Sequence, residues 1–172
     1  MAANPLNTWI GSGVLSFKEE GESTYRDLGF VPRFVTTPVI ERKDYWSKRS
    51  KIRSRVRTET TQQGLTIAFA MDEVTAENMA MYFMGSSVAG SPYTTVQMLD
   101  RTEIKGALRL VGDNAFGESC QVDIPDCSLM PADAIDWLTD DWLGLSMTGE
   151  AFRDPTTGSF GEVKVGITEE VA

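Results

Sequence analysis

The chain alternates apolar and polar residues over short runs and breaks them with Gly, Pro, Asn and Asp at close intervals, the pattern of a strand-rich protein. The sharpest alternation is Leu65 to Met71, where Leu65, Ile67, Phe69 and Met71 share one face and Thr66, Ala68 and Ala70 the other. The first set is predicted to be core. Upstream, Arg53, Arg55, Arg57 and Glu59 alternate with Ser54, Val56, Thr58 and Thr60, so a charged extended segment is expected to run into that strand across Gly64. Further strands are predicted over Ile10 to Phe17, Phe34 to Lys43, Ile104 to Val111, Ser119 to Ile124, Leu143 to Phe152 and Glu162 to Ile167. Pro38 cannot donate a ladder hydrogen bond, which confines it to an edge or a bulge. In Gly11-Ser12-Gly13, too short for a phosphate cradle, the glycines are expected to allow close backbone approach.

One helix stands out from this background. Thr75 is a suitable N-cap, Glu77 lies in the first turn, Val74 and Met79 are placed as a hydrophobic staple, and Gly85 is expected as a left-handed terminator. Met79, Met81 and Met84 at helical spacing read as core filler rather than a soft ligand site. A second short helical turn is predicted over Pro131 to Leu138, with Pro131 near its first position. Compact turns are expected at Gly85 to Pro92, Gly112 to Gly117 and Pro155 to Gly161.

A length of 172 residues fits one domain, 1–172, that buries an adequate core unaided. No apolar run approaches the roughly 20 residues that cross a bilayer. Residues 1–5 lack the basic and apolar regions of a signal peptide, so synthesis in a cytoplasm is expected, without membrane anchoring. The chain has no histidine, which removes the usual general base and the commonest metal ligand. Cys120 and Cys127 are expected as reduced thiols. Asp123, Asp126, Asp133, Asp136, Asp140 and Asp141 could supply a carboxylate pair, but solvated turn acids are the commoner outcome. Neither cofactor, metal nor catalysis is expected.

Charge changes the picture more than composition does. The net charge of −9 argues against a general nucleic-acid binder. Yet Arg42, Lys43, Lys48, Arg49, Lys51, Arg53, Arg55 and Arg57 are eight of the 16 basic residues. Tyr45 and Trp46 lie among them, and large aromatics are enriched in interfaces. A long hairpin arm at about 42–57 that contacts the acidic body of another copy is the economical inference; a solvated arm and a nucleic-acid contact are the alternatives. Trp137 and Trp142 could be core anchors or contacts with a neighbour.

The order of these features resembles the tail tube (major tail) proteins of long-tailed, non-contractile bacteriophages. The resemblance starts at Arg26-Asp27-Leu28-Gly29-Phe30-Val31-Pro32-Arg33-Phe34, passes through the arm, and closes on the strand-to-helix passage Leu65 to Ala80 with its Asp72-Glu73-Val74-Thr75 and Glu77-Asn78. It covers about residues 8 to 85, and Ala76 stands where that family usually has proline. The resemblance implies a β-sandwich or open barrel with one short helix. Six copies would close into a ring with a shared inner β-barrel, and rings would stack into a hollow tube. It places Lys43 to Arg55, with Tyr45 and Trp46, at the contact between rings. It further implies a virion location, tape-measure, tail-tip and terminator proteins as partners, and transient DNA passage along an acidic wall that does not bind phosphate. A contractile-tail or type VI secretion tube protein is the near alternative. A β-sandwich carbohydrate-binding or carbohydrate-active domain using Trp137 and Trp142 is the alternative of another class.

Overall fold

A computed structural model describes residues 11–49, 51–114, 119–138 and 140–167. The chain is mainly β, with all pairings antiparallel. In chain order the elements are β1 (Gly11–Glu19), β2 (Arg26–Asp27), β3 (Arg33–Ser47), β4 (Ser54–Met71), α1 (Ala76–Tyr82), β5 (Ser86–Val88), β6 (Thr95–Gln97), β7 (Ile104–Asn114), β8 (Ser119–Pro131), β9 (Leu145–Ala151) and β10 (Glu162–Ile167). Eight strands form one sheet in the order β2-β1-β7-β8-β9-β4-β3, with β10 beside the first half of β8. The remaining pair, β5 and β6, makes a separate small hairpin. Of the expected arrangements, a β-sandwich or an open barrel, the described residues show one large sheet that coils around one core, with a single short helix.

That coiling follows from where the apolar faces meet. Leu15 and Phe17 of β1 join Ile67, Phe69 and Met71 of β4 in one cluster, although three strands separate β1 from β4 in the sheet. Ile104 and Leu108 of β7, Ile124 and Leu129 of β8, and Leu145 and Met147 of β9 fill the space between them. The alternation predicted for Leu65 to Met71 is observed: Ile67, Phe69 and Met71 are buried while Ala68 is exposed. Pro38 lies opposite Leu65 on β3, an edge strand, where its missing N–H breaks no second ladder. Gly13 is held so close to β7 that a Cβ would come within 2.7 Å of the Val111 carbonyl.

The helix starts as expected, with Thr75 extended and its hydroxyl accepting from the Asn78 N–H at 3.1 Å. Met81 is buried, and Met79 and Met84 pack against the core. Its end differs from expectation. Met84, not Gly85, takes the left-handed conformation, with φ of 49°. The Gly85 N–H then bonds the Ala80 carbonyl and the Met84 N–H the Met81 carbonyl, the two bonds of a Schellman ending. Gly85 is needed for space: a Cβ there would lie 1.7 Å from the Gln97 carbonyl oxygen.

The helical turn expected over Pro131 to Leu138 is also corrected. Pro131 is the last residue of β8, opposite Met147 of β9, and the Ala132 N–H bonds the Ser146 carbonyl. Pairing with β9 extends the backbone there, and the described residues between 132 and 144 form a loop. The stretch Gly85 to Pro92, expected as a compact turn, contributes strand β5, whose partner β6 follows it. The Gly112 to Gly117 turn and the Ile10 end of the first strand lie partly outside the described residues. Both cysteines are free thiols. Cys127 is fully buried and donates to the Gly106 carbonyl; burial, with Asp126 nearby, pushes its thiol up to about 12.

Candidate intersubunit surface

The functional candidates of the sequence gather on the hairpin of β3 and β4. Near the body, β4 is held by β9 through the register Leu65 opposite Ala151 to Met71 opposite Leu145. Beyond Gly64 the two strands pair only with each other, up to Ser47 opposite Ser54. At about 3.3 Å per residue, the eight residues from Ile40 to Ser47 carry the ribbon roughly 26 Å past its root. Arg42, Lys43, Tyr45, Trp46, Lys48, Arg49, Lys51, Arg53, Arg55 and Arg57 are all on this arm, and all are exposed. Between Glu41 and Glu59 the arm carries eight basic and three acidic residues; the rest of the chain carries eight basic and 22 acidic.

Two bulges on β4 set how the arm presents its side chains. The register passes from Glu41–Gln62 to Arg42–Thr60, and from Tyr45–Arg57 to Trp46–Arg55, leaving Thr61 and Val56 as extra residues. Consecutive strand residues face opposite sides, so Tyr45 beside Arg57 lies on one face and Trp46 beside Arg55 on the other. Each face therefore offers an aromatic ring with a guanidinium. Tyr45 is 66% exposed and Trp46 51%, an apolar area that no intramolecular packing removes from water.

Part of the charge is satisfied within the arm. Asp44 accepts from the Thr58 hydroxyl at 2.6 Å and meets Arg55 at 3.5 Å; the Thr58 bond first, then Arg55, keep its carboxyl below the usual range. Arg57 pairs with Glu59. Arg42, Lys43, Lys48, Arg49, Lys51 and Arg53 make no ion pair with the described residues, and they are concentrated toward the tip. At the root, Val39, Ile40 and Val163 rim an open apolar groove floored by Leu65, Ile124 and Phe160.

The aspartates raised as a possible carboxylate pair are spread over strand β8 and the stretch that follows it. Asp123 has both oxygens engaged by cations, Oδ1 by Arg109 Nε at 2.6 Å and Oδ2 by Lys164 Nζ at 3.0 Å. Burial raises its pKa, but the bonds from Arg109, Lys164 and Gln121 outweigh this and hold the carboxyl low. It fastens β7, β8 and β10 together. Asp133, Asp136, Asp140 and Asp141 lie exposed on the 132–144 loop. Among the described residues no three acidic or cysteine side chains are grouped to hold a metal. Among the described residues no helix is long and apolar enough to cross a membrane.

Trp137 and Trp142 share that loop but not a neighbourhood. Trp137 stacks on Phe83, rings parallel within 5° and 6.3 Å apart. Trp142 is 96% exposed and rims a depression formed with Phe30, Val31, Pro32 and Asp72. Isolated sequence reasoning left Trp142 undecided between core and contact; its exposure removes the core alternative. Phe30 and Asp72 were not legible in the sequence as a surface with Trp142, because only the fold brings residues 30, 72 and 142 together. No protein-family model matches the chain, and no curated protein matches it in sequence.

Proposed function

We propose that this protein is a structural, self-assembling subunit of the phage tail tube kind and not an enzyme. Six copies form a ring with a shared inner barrel, and rings stack into a hollow tube through which DNA passes without being held. The observation that carries this is the β3–β4 arm: a ribbon, charged and aromatic on both faces, whose strands beyond Gly64 pair only with each other among the described residues. Its exposed tip adds little to the core of the subunit. Ordering it costs conformational entropy that only a contact with another molecule offsets. The arm is opposite in charge to the rest of the chain, which makes another copy the complementary partner.

Closure also answers a hazard of the monomer. Edge strands β2 and β3 expose unpaired backbone groups, and a ring that pairs every edge is the finite solution. The tail of a virion, with tape-measure, tail-tip and terminator proteins as partners, is the setting this function requires. Electron microscopy of the purified chain at high concentration is expected to show rings or tubes about 100 Å across, a rough size for six such domains around a pore. Deleting Lys48 to Arg53 is expected to leave a folded subunit that no longer stacks. A strictly monomeric wild-type chain at every concentration would overturn the proposal.

A further inference from the structure

The sheet coils around its core, but among the described residues its end strands β2 and β3 do not pair with each other, and the seam is apolar on the inside. On one bank, Phe34, Thr36, Pro38 and Ile40 of β3 share the face of Ile67 and Phe69 on β4. On the other bank, two rows cross β1, β7, β8 and β10: Gly13, Gly112, Cys120 and Val165, then Leu15, Leu110, Val122 and Val163. Two depressions lie along the seam. The first is lined by Gly11, Gly13, Phe34, Leu110 and Gly112, the second by Thr36, Ile40, Leu65, Val122 and Val163. Leu110 pairs with Val122, and Phe34 and Thr36 are neighbours on one face, so the two form a single trough. It is incompletely covered. Phe34, Leu110 and Val122 are half-buried, while Ile40, Val163 and Val165 are 54%, 66% and 73% exposed.

We infer that the occupant of this trough is the segment that precedes Gly11, residues 1–10 of the same subunit, with Leu6, Trp9 and Ile10 on its apolar floor. These residues lie outside the described ones, and three observations select them. The first is place: Gly11 itself lines the head of the trough, so the segment starts there with no connecting loop. Gly11, Gly13 and Gly112 bring no side chain to that point, which leaves space for a large ring. The second is reach. Phe34 to Ile40 is six strand steps, roughly 20 Å, and ten extended residues span roughly 33 Å. The third is chemistry. Met1 to Ile10 carries no charged side chain, in a chain that is 24% charged, and it offers a leucine, a tryptophan and an isoleucine. Residues 168–172, which follow Ile167 at the same end of the sheet, contain Glu169 and Glu170 and would set carboxylates against valines. Seating the first segment takes Val163, Val165 and Ile40 out of water. Its tether at Gly11 gives it a high local concentration, so a segment of the same subunit outcompetes that of another copy.

The test uses the full chain with W46F, W137F and W142F, which leaves Trp9 as its sole tryptophan. All three substituted positions are exposed, and circular dichroism checks that the chain folds. In dilute solution, acrylamide is expected to quench Trp9 several-fold less in the folded chain than in the urea-unfolded one. Adding V163E and V165E, both at exposed positions, is expected to bring the quenching close to the unfolded level while the chain stays folded. A second readout needs no change to the trough. Cys120 is half-buried in the row of Gly112, whereas Cys127 is fully buried. In L6C and W9C variants of the otherwise native chain, mild oxidation is expected to join the new thiol to Cys120 within one chain. Peptide mass spectrometry and monomeric migration without reductant report that bond. Quenching as strong in the folded chain as in urea overturns the inference. Shielding that V163E and V165E leave untouched also overturns it, because the segment then sits elsewhere. Shielding that disappears on dilution, with disulfides between chains, gives the trough to the segment of another copy and overturns it as well. None of these readouts depends on assembly, so a chain that never forms rings leaves them unchanged.

Discussion

Arg26 donates from Nη1 to the side-chain oxygen of Asn78 at 2.7 Å, joining strand β2 to helix α1 across 52 residues of sequence. Among the described residues Asn78 is the one buried polar residue, at 1% exposure, and its amide is engaged at both ends. Its Nδ2 donates to the Leu28 carbonyl at 3.1 Å and to the Glu73 carbonyl at 3.0 Å. One side chain thus holds the Leu28 turn, the strand-to-helix passage and the helix in a single arrangement.

Replacing Asn78 with leucine would leave a buried carbonyl, a partly buried one and a partly buried guanidinium without their partner. The expected cost is about 2–3 kcal/mol, or a fall in Tm of roughly 5–10 °C for a chain of this size. Asn78→Asp keeps the acceptor for Arg26 but loses both Nδ2 donors, and should fall between. Thermal unfolding followed by circular dichroism distinguishes the three.

The two glycines of the β4-to-β5 region should respond differently to alanine. Gly85→Ala drives a methyl into the Gln97 carbonyl, and overpacking of that kind costs about 1–3 kcal/mol. Gly64→Ala meets only Val39, at 3.8 Å, an ordinary contact. Urea midpoints should drop for the first variant and stay near wild type for the second.

Asp123 makes a pH-dependent contribution whose sign follows from its lowered pKa. The unfolded chain binds the proton more readily than the folded one, so the stabilisation is complete above the ordinary value of 3.8 and disappears as pH falls through the lower folded value. Asp123→Asn should therefore destabilise the protein at neutral pH and make much less difference at about pH 2, well below the ordinary carboxylate range. Equal losses at both values, measured by denaturant unfolding, would contradict the ion-pair role.

Assembly should weaken with salt. Six cationic side chains of the arm, four of them at its tip, face solvent in the free subunit, and their attraction to carboxylates on another copy is screened as the Debye length shrinks from about 10 Å at 0.1 M to about 3 Å at 1 M. Light scattering should show the onset of polymerisation moving to higher protein concentration across that range. A K48E, K51E, R53E variant should lose the dependence.

Local pattern carried much of the fold. Leu65 to Met71 was legible because side-chain alternation is a property of the strand itself, and Thr75 because an N-cap acts on a backbone N–H three residues away. Gly85 and Pro131 were misread for a shared reason: each was assigned the role its residue type has in a local motif, whereas the neighbouring strand decided it. Gln97 leaves room only for glycine at 85, and pairing with β9 extends the chain through 131. The arm was legible through its charge and its aromatics, but not the two bulges that divide Tyr45 and Trp46 between faces.

By itself, then, the sequence determined that the chain would be rich in strands with one principal capped helix, and that a basic aromatic segment would be set against an acidic remainder. These follow from periodicity and composition, which act over a few residues. Only the tertiary structure decided that the strands make one coiled sheet, and that Phe30, Asp72 and Trp142 meet at the end of β4 opposite the arm. Strand order and register depend on pairings between residues far apart in the chain, and no local pattern specifies which distant partner a strand takes.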